Sequence, residues 1–194
     1  MNKRRRFLIG AASAVGGVGA AFTAVPFLAY WQPSARAKAA GAPVEVDVSK
    51  LGPGQQITVE WRGKPIWVLR RTAAMIGRLK GLTDAGILRD PLAKVETQQP
   101  AYIDGPLRST REQYLVVIAI CTHLGCVPSF RPAVGSVTND WPGGYFCPCH
   151  GSKFDFAGRV FKGVPAPTNL AIPPYRYLSD TRIEIGVDPK QTES

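Results

Sequence analysis

Cys121-Thr122-His123-Leu124-Gly125-Cys126 and Cys147-Pro148-Cys149-His150-Gly151-Ser152 hold all four cysteines and both histidines of this 194-residue chain. Six soft or borderline ligands confined to two short boxes, twenty residues apart, point to a metal centre, and nothing elsewhere completes one. Two readings use these residues. A structural zinc ion takes four of the six at a tetrahedral site and leaves two cysteines unassigned. A two-iron cluster takes two cysteines and two histidines.

Outward from the boxes, short alternating or β-branched runs at 44–48, 57–61, 65–70, 114–120 and 182–187 read as strands. The segment 72–82 carries Met75, Ile76 and Leu79 at helical spacing, with Thr72 as its cap. Residues 83–113 are weakly periodic and read as an irregular excursion. Gly and Pro crowd 128–174, which suits loops and short strands. The gap 127–146 holds Arg131-Pro132, Gly135 and Asn139-Asp140-Trp141-Pro142-Gly143-Gly144, the composition of an inserted loop or hairpin. The expected architecture is all-β, a small antiparallel domain with its ligands on loops.

The chain opens Met1-Asn2-Lys3-Arg4-Arg5-Arg6, and then runs uncharged from Phe7 to Trp31. Twenty-five residues at about 1.5 Å each span a bilayer core of about 30 Å, and Pro26 kinks rather than forbids such a helix. Basic residues before the span place the N-terminus in the cytoplasm and the rest outside it, where a disulfide persists. A cleaved signal is the other reading, with small residues around Ser34-Ala35-Arg36-Ala37 as its cleavage site; the length favours an uncleaved anchor. Gly16, Gly17, Ala20 and Ala21 permit close helix packing, or merely reflect a weakly apolar export signal. The formal charge of +10 is not a nucleic-acid signature, because six basic residues lie at positions 3–6, 36 and 38. From Pro43 onward eighteen Lys and Arg face fourteen Asp and Glu, interspersed.

The two boxes resemble those of the Rieske iron-sulfur proteins, in which two cysteines hold one iron and two histidines the other. By that resemblance Cys121, His123, Cys147 and His150 are the ligands of one [2Fe-2S] cluster per subunit, and Cys126 pairs with Cys149 in a disulfide. The extra cysteine pair is similar to that of the high-potential, quinol-oxidising branch. The resemblance further implies that His150 contacts quinol and couples electron to proton transfer, and that Leu124 is an apolar cover beside the quinone pocket. Ordinary loop packing is the competing reading of Leu124. Ser152 matches a serine that donates a hydrogen bond to a bridging sulfide, and Phe154 stands where many members carry a tyrosine bonded to a ligand sulfur. One donor is missing, so a lower potential is expected. The stretch 163–170, with Gly163, Pro165 and Pro167, resembles the proline loop covering the cluster.

The Arg4-Arg5-x-Phe7-Leu8 pattern looks like a twin-arginine signal, which exports folded, cofactor-loaded proteins. The division expected on these grounds is a signal and transmembrane anchor at 1–32, a flexible hinge at 33–43 that can also be helical, and an iron-sulfur domain at 44–194. Its cluster-binding part covers about 114–175. The implied function is that of the Rieske subunit of a ubiquinol:cytochrome c oxidoreductase, inactive alone. Its implied partners are ubiquinol, cytochrome b and a c-type cytochrome, in a dimeric complex of the bacterial inner membrane with the domain periplasmic. The small Rieske subunit of a periplasmic arsenite oxidase is the runner-up, and a zinc module comes from a different class.

Overall fold

In a computed structural model the described residues are 2–189. The chain divides between Ala40 and Gly41 into two units. The first holds helix α1 (Lys3–Tyr30), which has Pro26 inside it and no buried residue. Its 28 residues measure about 42 Å at the standard rise. A second, short helix, α2 (Ala35–Ala40), occupies the expected hinge, and Ser34 Oγ accepts the Ala37 N–H at its start. Of the two conformations the Ala-rich connector allowed, this is the helical one.

The second unit is built on three antiparallel three-stranded sheets. In the first, β1 (Val44–Asp47) pairs β9 (Arg182–Ile185), which pairs β8 (Tyr175–Tyr177). In the second, β3 (Lys64–Arg70) lies between β2 (Gln56–Trp61) and β4 (Tyr114–Ile118). The β2–β3 hairpin turns through Arg62 and Gly63, both at positive φ, and Trp61 faces Lys64 across it. Such a two-residue turn follows the right-handed strand twist. Ile66, Trp67, Val68 and Leu69 are all buried, so this central strand is covered on both faces and anchors the core. Helix α3 (Ala73–Asp84) follows, with Thr72 Oγ1 accepting the Met75 N–H at 3.2 Å as the sequence predicts.

The third sheet is β5 (Ser129–Arg131), β6 (Gly144–Phe146) and β7 (Lys153–Phe154). The long gap between the boxes is thus a hairpin, with Phe130 facing Tyr145. Trp141 in its loop is buried against Leu88 and Phe161 and donates from Nε1 to Arg131 O. Gly144 is obligatory: a Cβ there would fall on the Phe154 carbonyl of the neighbouring strand. Helix α3 runs two residues into the expected excursion, to Asp84, and 85–113 is otherwise irregular apart from a bridge from Leu88 to Phe161 and a 3-10 turn at Glu96–Gln98.

Candidate metal centre

Each box leaves the end of a strand. The run after β4 passes into Cys121, and Cys147 follows β6 directly. Both boxes then make the same turn. Cys121 N–H donates to Cys126 O and Gly125 N–H to Cys121 O, at 2.7 and 3.0 Å. Cys147 N–H donates to Ser152 O and Gly151 N–H to Cys147 O, at 2.8 and 2.9 Å. Gly125 and Gly151 close the turns at φ of 84° and 78°, a left-handed conformation that glycine adopts without strain. The ligand types are permuted on this common frame. Cysteine comes first in both, whereas histidine is third in one box and fourth in the other.

The frame sorts the candidates by depth. Cys121 and Cys147 are buried, while His123 is half-buried and His150 exposed. The imidazole rings meet edge to face, with centroids 4.7 Å apart. Burial pushes the Cys147 thiol up, the Cys149 N–H pulls it down, and the neighbouring Cys121 thiol raises it again. A second backbone N–H, from His150, also favours the thiolate. Two sulfurs side by side in a buried place repel as thiolates, and a multivalent cation between the strand ends removes that penalty. The donor set therefore fits a metal group with sulfur on its inner side and nitrogen on its outer side.

Cys126 and Cys149 form a disulfide, the pairing the resemblance implied. The sulfurs of Cys126, Cys147 and Cys149 lie within 4.8 Å of one another, but two of them are bonded together and only Cys147 can serve as a thiolate there. With its ends 23 positions apart in the chain, the bridge stabilises by on the order of 3 kcal/mol through the unfolded chain. It also ties the outer rims of the two boxes together.

The proline loop is sewn to both boxes. Thr122 Oγ1 donates to Thr168 O at 2.7 Å, and the Ala166 N–H donates to the buried Ser152 Oγ at 3.0 Å. As an acceptor in that bond, Ser152 keeps its hydroxyl proton free to donate. Asn169 Oδ1 accepts the Val160 N–H, and its Nδ2 donates to Asp90 O. Leu124 is 71% exposed. Phe154 is fully buried in β7, opposite Tyr145. Pro165 and Pro167 are exposed and flank buried Ala166. Sequence reasoning missed Thr122 and Asn169, because a lone hydroxyl or amide in a loop carries no periodic signal. It also passed over Asp155 and Arg159, whose four-residue spacing beside the second box is the one available hint.

Fold and boxes together define a Rieske iron-sulfur protein, and residues 92–175 match the Rieske [2Fe-2S] domain family. Residues 1–34 match the family described as Ubiquitinol-cytochrome C reductase Fe-S subunit TAT signal. The ubiquinol-cytochrome c reductase iron-sulfur subunit of Allochromatium vinosum is 56% identical over 95% of this chain and 89% of its own length. That of Blastochloris viridis is 45% identical over 94% and 92%. A chain of a solved hyperthermophilic respiratory complex III is 29% identical, with 92% of this chain and 98% of that chain covered and a TM-score of 0.49. The chain belongs to the family of ubiquinol-cytochrome c reductase iron-sulfur subunits. Membership decides against the arsenite oxidase subunit and the zinc module.

Proposed function

We propose that Cys121 and Cys147 hold one iron and His123 and His150 the other iron of a single [2Fe-2S] cluster, through which the chain passes electrons from ubiquinol to a c-type cytochrome. The observation that carries this reading is the depth sorting of the four ligands on two matching turns, with buried sulfurs inside and adjacent imidazoles outside. Bound there, the cluster supplies a one-electron acceptor of higher potential than an all-thiolate centre.

The chain's own residues supply the rest. The exposed His150 ring accepts the hydrogen bond and then the proton of a quinol hydroxyl, so that electron and proton leave the substrate together. Leu124, exposed and next to His123 in the chain, offers the apolar surface that excludes water from that contact. The disulfide and the hydrogen-bonded proline loop hold both boxes in one geometry. Helix α1 stays as an uncleaved anchor in the bacterial inner membrane, with the N-terminus cytoplasmic and the second unit periplasmic beside cytochrome b. The connector at 33–43 acts as the hinge over which the domain carries its electron to the cytochrome.

Ascorbate-reduced membranes should show the rhombic electron paramagnetic resonance spectrum of a mixed His and Cys cluster. His150→Ala and Cys147→Ser should each abolish the signal and quinol-dependent cytochrome c reduction. A purified protein that carries zinc, is colourless and gives no signal would sink the assignment.

A further inference from the structure

Arginine is seldom buried without a carboxylate partner. Here Arg71, Arg108 and Arg159 are 3%, 0% and 0% exposed, whereas Asp155 is the one buried acid among the described residues. Asp155 and Arg159 pair at 2.7 Å and neutralise each other. Arg71 and Arg108 make no ion pair among the described residues and are held instead by backbone carbonyl oxygens, the Gln99 amide and, for Arg71, the Ser109 hydroxyl. Arg71 donates to Glu112 O and Leu107 O at 2.8 Å, to Tyr114 O at 3.3 Å and to Phe156 O at 3.5 Å. Arg108 donates to Gln99 Oε1 at 2.8 Å, Gln98 O at 3.0 Å, Ala157 O at 3.1 Å and Gly158 O at 3.3 Å. Two cations thus converge on the consecutive carbonyls of Phe156, Ala157 and Gly158, just past the second box.

Burial pulls both guanidinium groups down to about 10, so both are charged at neutral pH. Asp155 acts on both by its charge but is already paired with Arg159, and Asp90, which also acts on Arg108, is half-buried with its oxygens already accepting the Lys94 and Val95 N–H groups. Excess positive charge therefore remains in a low-dielectric place. Hydrogen bonding alone does not call for it, since a neutral amide donates to carbonyls without the desolvation penalty of a charge.

We infer that the unpaired charge of Arg71 and Arg108, held under the turn after the second box, favours the reduced and more negative state of the cluster, making these two arginines positioning residues for its potential. The inference rests on the cluster reading above. Ser152 and Phe156 are four residues apart, which limits their separation to about 14 Å. The guanidinium groups and the cluster lie beyond the two ends of that span, and across about 15–20 Å, at an effective dielectric constant near 20, one unit charge changes the reduced-to-oxidised ratio about fivefold. Buried charges are screened little by salt, so the effect persists at high ionic strength.

The test is a redox titration of the purified, membrane-extracted complex. Arg71→Gln and Arg108→Gln should each lower the ratio about fivefold at fixed potential, on a scale where tenfold is about 59 mV for one electron. Arg108→Lys, read at pH 6 to keep it charged, should retain the parent potential. Gln99→Glu, which leaves Arg108 in place but sets a carboxylate against it, should lower the potential as Arg108→Gln does and covers the case in which that variant fails to assemble. Arg182→Gln, at an exposed position, should leave it unchanged. An intact spectrum with unshifted potentials in the Gln and Glu variants overturns the inference. Equal falls for Arg108→Lys and Arg108→Gln also overturn it, because the effect is then one of hydrogen-bond geometry. Absence of the cluster spectrum from the unsubstituted protein defeats the cluster reading instead.

Discussion

Phe154 shows how much one atom decides at this site. Its ring is fully buried in β7, two residues past Ser152, in a strand whose partner β6 leads into Cys147. A hydroxyl added there has no water to bond and must find an acceptor inside the protein, and in the family that acceptor is a ligand sulfur. Such a bond strengthens as the sulfur gains negative charge, so it favours the reduced state. Phe154→Tyr should raise the midpoint potential by the equivalent of roughly 1 kcal/mol in a redox titration. An unchanged potential would show that the hydroxyl bonds elsewhere. Ser152 differs from Phe154 in having a second tie, to the proline loop through Ala166. Ser152→Ala therefore removes a donor and loosens a loop at once, and its potential reads two effects together.

At the level of elements, the excursion 85–113 is not a spacer but is bonded to the stretch 157–169 that follows the second box. Arg159 reaches it from the segment after β7, donating to Pro91 O at 3.1 Å, and it also donates to Thr83 Oγ1 at 2.7 Å and Leu79 O at 2.8 Å in α3. Asp155 holds Arg159 and also accepts the Ala157 and Arg159 N–H groups. Asp155→Asn leaves a buried cation unpaired, so it should destabilise the domain by about 3–5 kcal/mol in denaturant unfolding. A loss under 1 kcal/mol would mean that the carbonyl oxygens alone solvate Arg159. The strands at 44–48, 57–61, 65–70, 114–120 and 182–187 were legible because one or both faces of each are buried and β-branched. Helix α3 was legible from its spacing and its cap. Strands β5 to β8 have three residues or fewer, too short for any alternation to register, and the Gly and Pro around them read only as loop. The two boxes stood out because Cys and His are otherwise absent from the chain. The buried arginines did not, since the sequence signal of an arginine is that of an exposed residue, and only the fold shows which carbonyls surround it.

For the molecule as a whole, the two units have opposite relations to water. Every residue of the two buried clusters lies between Val46 and Ile185, and α1 contributes none. Helix α1 instead exposes Phe7, Leu8, Ile9, Val15, Val18, Phe22, Val25, Phe27 and Leu28, a surface that only a bilayer or detergent covers well. A chain starting at Gly41 keeps the whole core, the three sheets, the disulfide and both boxes. It should therefore be soluble without detergent and, once loaded with iron and sulfide, should give the same electron paramagnetic resonance spectrum as the full chain. Its unfolding midpoint in guanidinium should match that of the domain in the detergent-solubilised full chain, while the full chain stays with the membranes through high-salt washing. A shortened chain that aggregates or unfolds at markedly lower denaturant would mean that the N-terminal unit completes the core of the second. In that case the domain could not travel between donor and acceptor as an independent carrier.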